Sequence, residues 1–154
     1  MIELKMKALL LSLTLLAPST ALGAPPPLKA DVDLSGHNGE PVVLFFFSPD
    51  TPEALPAAQA VRKFRQEFPS AKLAIIGVTP PEVSQKQLLP FLKSAGINFP
   101  VQTDTGDVLA QQCKVNGLPH LTVLDKYHRI AEWWPGYHPL YEPMMRRALK
   151  SVLR

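Results

Sequence analysis

The stretch Pro41-Val-Val-Leu-Phe-Phe-Phe-Ser-Pro-Asp-Thr-Pro-Glu53 contains the strongest structural signal in this sequence. Its first seven residues are apolar and rich in β-branched and aromatic side chains, and Ser48-Pro49-Asp50 interrupts the run. A continuous apolar run too short for a helix is typical of a strand that is buried on both faces of a sheet. We therefore predict a central strand over residues 41–47.

The residues after this strand predict a helix over 52–68. Thr51 is placed to be its N-cap, and Pro52 suits the first helical position. Apolar side chains recur at three- or four-residue spacing and predict an inward stripe: Leu55, Ala58, Val61, Phe64 and Phe68.

The rest of the chain alternates strand and helix patterns. A second buried strand is predicted at 72–78, then a helix at 82–95 that Pro90 bends or divides and Gly96 ends. Short strands follow at 99–102, 121–124 and 130–133, with a helix at 107–113 and a last helix at 140–153. This order predicts an α/β fold, a central mixed sheet with helices on both faces.

The N-terminal residues 1–23 predict a secretory signal peptide. Lys5 and Lys7 precede an apolar stretch that is shorter than the ~20 residues needed to span a bilayer, and small residues favour cleavage before Ala24. We expect a lead-in at 24–40 with one short edge strand around Val32 and Leu34, and a single domain at 41–154.

Export and charge limit the partners of the chain. The formal charge of +3 falls to +2 when residues 1–23 are removed, which gives no reason to expect nucleic-acid binding. We expect a periplasmic or secreted protein with no stable membrane span after signal cleavage.

Cysteine and histidine usage excludes several kinds of site. Cys113 is the only cysteine, so no disulfide forms within the chain, and a lone cysteine is most often a small buried hydrophobe. The four histidines lack the close spacing of two-histidine metal sites: His37, His120, His128 and His138. We predict no metal site and no cofactor.

Three segments in order resemble the thioredoxin superfamily, in particular the periplasmic TlpA/ResA-like thioredoxins, over about residues 40–153. Residues 43–53 are similar to that family's strand, loop and active-site helix. Residues 91–104 contain its Phe-Pro strand and terminal Asp, and 113–125 contain its Val-x-Gly-x-Pro loop. The resemblance implies a thioredoxin-like fold in which Pro119 is a cis-proline that faces the active-site helix.

The chain departs from this family where the redox centre belongs. Dithiol chemistry needs two cysteines three positions apart at a helix N-terminus. Alternative alignments put Asp50 and Glu53, or Ser48 and Thr51, at those positions, and a peroxiredoxin-like alignment puts Ala54 at the peroxidatic cysteine. Every alignment lacks a thiol, so we predict a degenerate redoxin that is not a dithiol-disulfide oxidoreductase.

Two roles remain open for the polar residues at this helix end. Asp50 and Glu53 would form a carboxylate pair for acid–base chemistry if both face a substrate. Alternatively, Asp, Ser and Thr cap the helix by accepting hydrogen bonds from its first N–H groups, which is the interpretation we favour.

The string Trp133-Trp134-Pro135-Gly136-Tyr137 predicts either a binding surface or simple cover for the sheet. Adjacent strand residues point to opposite faces, so at least one tryptophan should meet solvent or a partner. In the last helix we assign the apolar side chains to the core: Met144, Met145, Leu149 and Val152.

The resemblance places nine residues around one groove: Ser48, Asp50, Thr51, Glu53, Leu118, Pro119, His120, Gly136 and Tyr137. We expect a polypeptide-binding or accessory module of the cell envelope whose partner is an envelope protein or an extended polypeptide. The alternative is a thiol-redox protein that acts through Cys113.

Overall fold

The computed structural model describes residues 32–69 and 72–154, so the expected signal peptide and its cleavage site lie outside the described residues. The strands are β1 Val42–Phe46, β2 Ala74–Thr79, β3 Val101–Thr103, β4 His120–Leu124 and β5 Ile130–Pro135. The α-helices are α1 Ala54–Glu67, α2 Gln85–Ala95, α3 Val108–Gln112 and α4 Glu142–Val152. Short 3-10 turns at Ser35–His37 and Pro139–Tyr141 precede β1 and α4.

The five strands form one mixed sheet in the order β3-β2-β1-β4-β5. β1, β2 and β3 are parallel, whereas β4 runs antiparallel to both β1 and β5. β1 lies at the centre and every one of its residues is buried, as predicted. The predicted α/β fold class is therefore confirmed, and β4 and β5 form a hairpin that closes the sheet.

The two faces of the sheet carry different helices. The steps from β1 to β2 and from β2 to β3 go in the same direction, so right-handed connections put α1 and α2 on one face, where α4 also packs. The return to β4 carries α3 to the other face, where Leu109 and Cys113 pack. We call these the α1 face and the α3 face.

The predicted start of the first helix is wrong. The Ala54 N–H donates to the backbone oxygen of Thr51 at 3.0 Å, so a turn precedes α1, and Glu53 is the N-cap with no side-chain hydrogen bond. Leu55 is 40% exposed rather than inward. The inward stripe instead begins with the alanines at 54, 57 and 58, whose small side chains allow the helix to approach the sheet closely.

The last helix and the lead-in also differ from prediction. The helix begins at Glu142, not at Leu140, and Met144 is 57% exposed instead of in the core. In the described part of the lead-in, residues 32–40, no edge strand forms, although the side chains of Val32 and Leu34 are buried. The Gln102 side chain accepts a hydrogen bond from the Asp33 N–H at 3.0 Å, which replaces ladder pairing there.

The second helix agrees with prediction at its C-terminus. Gly96 ends α2 in the left-handed conformation, with φ 62°, and Pro90 lies within one continuous helix. Its N-terminus has a capping box that the prediction missed, in which the Ser84 side chain accepts from the Gln87 N–H and the Gln87 side chain accepts from the Ser84 N–H.

Candidate functional site

The β1–α1 loop contains the residues aligned with the family's redox centre. Two consecutive turns close it, because Thr51 N–H donates to the Ser48 oxygen at 3.1 Å and Ala54 N–H then donates to Thr51. Asp50 does not cap α1, contrary to our expectation, and its Oδ2 accepts from Gln87 Nε2 at 3.3 Å. This hydrogen bond therefore connects the loop to the first turn of α2.

The N-terminus of α1 has lost the features that activate a thiolate. The chain has a single cysteine, and it is not in this loop. The Ala54 N–H is already bonded, and Pro56 has no N–H to offer in the first turn. Both the thiols and part of the donor set that would stabilise a thiolate are missing here.

The loop before β4 retains the geometry implied by the resemblance. The Leu118–Pro119 bond is cis, and the Pro119 oxygen accepts from the Gly136 N–H at 2.8 Å. Pro119, Gly136 and Tyr137 line a small crevice beside Ala57 of α1. The Tyr137 hydroxyl donates to Glu142 at 2.8 Å, and burial together with that carboxylate raises the pKa of Tyr137 to about 12.

Leu118 presents a free backbone edge beside this crevice. Within residues 32–69 and 72–154, neither its N–H nor its C=O forms a backbone hydrogen bond. The neighbouring Gly117 is exposed, and a Cβ at that position would meet nothing within 4 Å. An incoming chain therefore has both hydrogen-bonding groups and space at this loop.

Seven of the nine predicted groove residues lie in two segments at one end of the sheet, and the other two, Gly136 and Tyr137, follow β5 at the same end. Phe46, which ends β1, pairs with His120, which begins β4, so the two loops leave the sheet side by side. Ser48, Asp50, Thr51 and Glu53 belong to the first loop, Leu118 and Pro119 belong to the second, and His120 is the first residue of β4. No hydrogen bond joins the two loops in the described part of the chain.

His120 is packed differently from the other groove residues. Leu121 packs on the α1 face, so alternation places the imidazole on the α3 face. The ring stacks on Trp133 with centroids 5.9 Å apart, and it forms an edge-to-face contact with Phe46 at the same centroid distance. His120 is 1% exposed, and neither ring nitrogen has a hydrogen-bond partner among the described residues.

The side chains of Trp133 and Trp134 differ in exposure, since one faces solvent and the other is in the core. Trp133 is 54% exposed and covers His120, whereas Trp134 is buried on the opposite face. The prediction that at least one of these two side chains meets solvent is confirmed.

Burial lowers the pKa of His120, and this makes stability depend on pH. The unfolded chain binds a proton below about pH 6.5, whereas the folded chain resists it, so the free energy of unfolding should fall as pH drops below that value. We expect a slope of up to about 1.4 kcal/mol per pH unit that His120→Leu abolishes. Urea unfolding at pH 7.5 and pH 5.0 measures it.

A matched histidine variant separates the titration of His120 from that of the other histidines. His138 is exposed and accepts from the Leu140 N–H, a role that asparagine can take over. His138→Asn should keep the pH dependence of the wild-type protein. The same slope in His120→Leu would show that His120 is not its source.

Cys113 lies on the opposite side of the sheet from α1. It follows α3, is 3% exposed, and packs with Leu109 on the α3 face. Burial raises its pKa to about 11, and the neighbouring Thr122 hydroxyl, which favours the thiolate, offsets only part of that rise. A thiol in this environment is a small hydrophobic side chain and a poor nucleophile.

One buried carboxylate near these loops was not among the residues predicted for the site. Asp104 accepts from the Leu109 N–H at 3.2 Å and from the Ala110 N–H at 2.8 Å, and so anchors the start of α3. The terminal Asp of the 91–104 segment was the available signal. No group of three or more His, Cys, Asp or Glu side chains able to hold a metal occurs in the described ranges.

Solved thioredoxin-like structures share this fold. A Chlorobium tepidum protein assigned as the thiol:disulfide interchange protein DsbE has a TM-score of 0.73 at 17% identity, over 85% of this chain and 95% of that one. A secreted Mycobacterium tuberculosis disulfide oxidoreductase homologous to E. coli DsbE has a TM-score of 0.62 at 13% identity, over 76% and 85%. StoA from Bacillus subtilis has a TM-score of 0.61 at 18% identity, over 73% and 84%.

Sequence comparison assigns the family. No curated protein matches the chain significantly in sequence. No helix in the described residues is long and apolar enough to cross a membrane. The AhpC/TSA family profile matches residues 17–133, which is more than half of the chain. With its cis-proline loop and thioredoxin-like sheet, this chain belongs to the AhpC/TSA family of redoxins.

Proposed function

We propose that this chain is an exported, redox-inactive redoxin that binds extended polypeptide segments as a binding or accessory module of the cell envelope. The free backbone edge of Leu118, beside the crevice at Pro119 and Tyr137, is the observation that carries this proposal. An extended peptide adds to such an edge through main-chain hydrogen bonds, while neighbouring pockets select side chains.

The chemistry of the site supports binding without thiol exchange. The β1–α1 loop has no thiol, and Cys113 is buried on the other side of the sheet. The thiol-redox alternative through Cys113 therefore finds no support in its exposure or its pKa of about 11. Periplasmic or secreted localisation is supported by the signal-peptide pattern of residues 1–23 and by the likeness to a secreted oxidoreductase.

A blocked-groove variant tests this function. Gly117→Leu adds a side chain beside Leu118 in open space, so we expect it to keep the fold and to weaken polypeptide binding at least about tenfold, through loss of backbone pairing. The probe is fluorescently labelled, reduced and carboxymethylated α-lactalbumin, which stays extended, and fluorescence anisotropy measures its binding.

A second glycine provides the control. A Cβ at Gly36 also meets nothing within 4 Å, but Gly36 lies in the 3-10 turn before β1, outside the groove. Gly36→Leu should bind the probe as the wild-type protein does. Absence of binding by the wild-type protein, or unchanged binding by Gly117→Leu, would refute the proposal.

A further inference from the structure

A cavity of about 390 Å³ opens at the C-terminal ends of β1 and β2, next to the free edge of Leu118. Phe46, Val78 and Leu118 give it an apolar floor. Its volume lies within the ~300–1,000 Å³ typical of ligand pockets. Leu118 therefore borders both the cavity and the surface where we place the polypeptide.

The ionisable residues that line this cavity are all carboxylates, although the chain as a whole carries +3. Asp104 forms part of the wall, is itself buried, and is fixed by the two N–H groups of α3. Glu82 and Asp107 are exposed beside it. An apolar floor under carboxylates is complementary to a cation on an apolar stem.

We propose that this cavity receives a basic side chain, preferentially arginine, of the polypeptide bound at Leu118; this inference rests on the proposed function. Side chains of an extended peptide alternate in direction, so one residue beside Leu118 points into the cavity. Its methylene stem packs on Phe46 and Val78. Its planar guanidinium pairs with the carboxylates of Glu82 and Asp107, which a more strongly hydrated ammonium does less well.

The test compares two labelled heptapeptides that differ in one atom group. The first is Gly-Ala-Leu-Arg-Leu-Ala-Gly. The second has citrulline, an uncharged isostere of arginine, in place of the arginine. At low salt the wild-type protein should bind the arginine peptide about tenfold more tightly, measured by fluorescence anisotropy. The double variant Glu82→Gln/Asp107→Asn should lose this preference to less than about twofold.

A matched variant controls for net charge. Glu40→Gln/Glu132→Gln removes two carboxylates outside the cavity and should retain the arginine preference. Asparagine tolerates the left-handed backbone at position 107, where φ is 53°, so the test variant should stay folded, which far-UV circular dichroism verifies.

The outcomes separate this inference from the proposed function. Equal binding of both peptides by the wild-type protein would overturn the basic-side-chain inference and leave polypeptide binding intact. A preference that survives Glu82→Gln/Asp107→Asn would overturn it as well. If the protein binds neither these peptides nor carboxymethylated α-lactalbumin, the proposed function fails and the inference fails with it.

Discussion

Alkylation of Cys113 by iodoacetamide at pH 8 is expected to be at least about a hundredfold slower in the folded protein than in denaturant. The rise of its pKa from 9.0 to about 11 alone lowers the thiolate fraction at that pH by this factor. Burial under α3 adds a steric barrier, because the side chain is nearly inaccessible. The rate of labelling, followed by mass spectrometry from pH 7 to pH 10, measures both effects.

An accessible thiol on the same fold provides the reference. Asp50 is exposed in the β1–α1 loop, so Asp50→Cys in a Cys113→Ala background should be labelled at the rate of a free thiol. Rapid labelling of Cys113 in the folded wild-type protein, with an apparent pKa below ~8.5, would contradict our interpretation and restore the thiol-redox alternative.

The chain separates two parts of the redoxin fold that normally act together. In the function that we propose, the sheet and the cis-Pro119 loop, with its bond to Gly136, position a polypeptide. Thiol exchange would need two cysteines at the α1 N-terminus. Only the first part is present here. Main-chain recognition of a peptide needs no thiol, so the free energy of peptide binding does not depend on the missing cysteines. A binding protein without them can therefore retain this recognition.

The sequence predicted the strands well because their signal is local and strong. The run 41–47 is continuously apolar, rich in β-branched and aromatic side chains, and too short for a helix. These three properties together predict a strand that is buried at the centre of the sheet. Gly96 was predictable for a similar reason, since a helix that ends in the left-handed conformation needs glycine.

Helix boundaries and side-chain partners were less predictable because distant contacts decide them. Thr51 is a good N-cap in isolation, but its carbonyl closes a turn, and Asp50 bonds to Gln87, 37 positions away. The packing of His120 between Phe46 and Trp133 depends on strand register across three strands. The cavity beside Leu118 likewise exists only once β1, β2 and α3 are assembled.

Phe64→Ala is expected to lower the free energy of unfolding by about 3–5 kcal/mol, while Leu55→Ala changes it by less than about 1 kcal/mol. Phe64 is fully buried on the α1 face and helps to line the crevice with Pro119 and Tyr137, so its loss leaves a void that rigid neighbours cannot fill. Leu55 is on the outer side of the same helix, where alanine packs as well and favours the helix. Urea denaturation with an unchanged m-value measures both changes. Equal losses from the two variants would mean that α1 is rotated about its axis, with Leu55 facing the sheet as the apolar spacing alone had suggested.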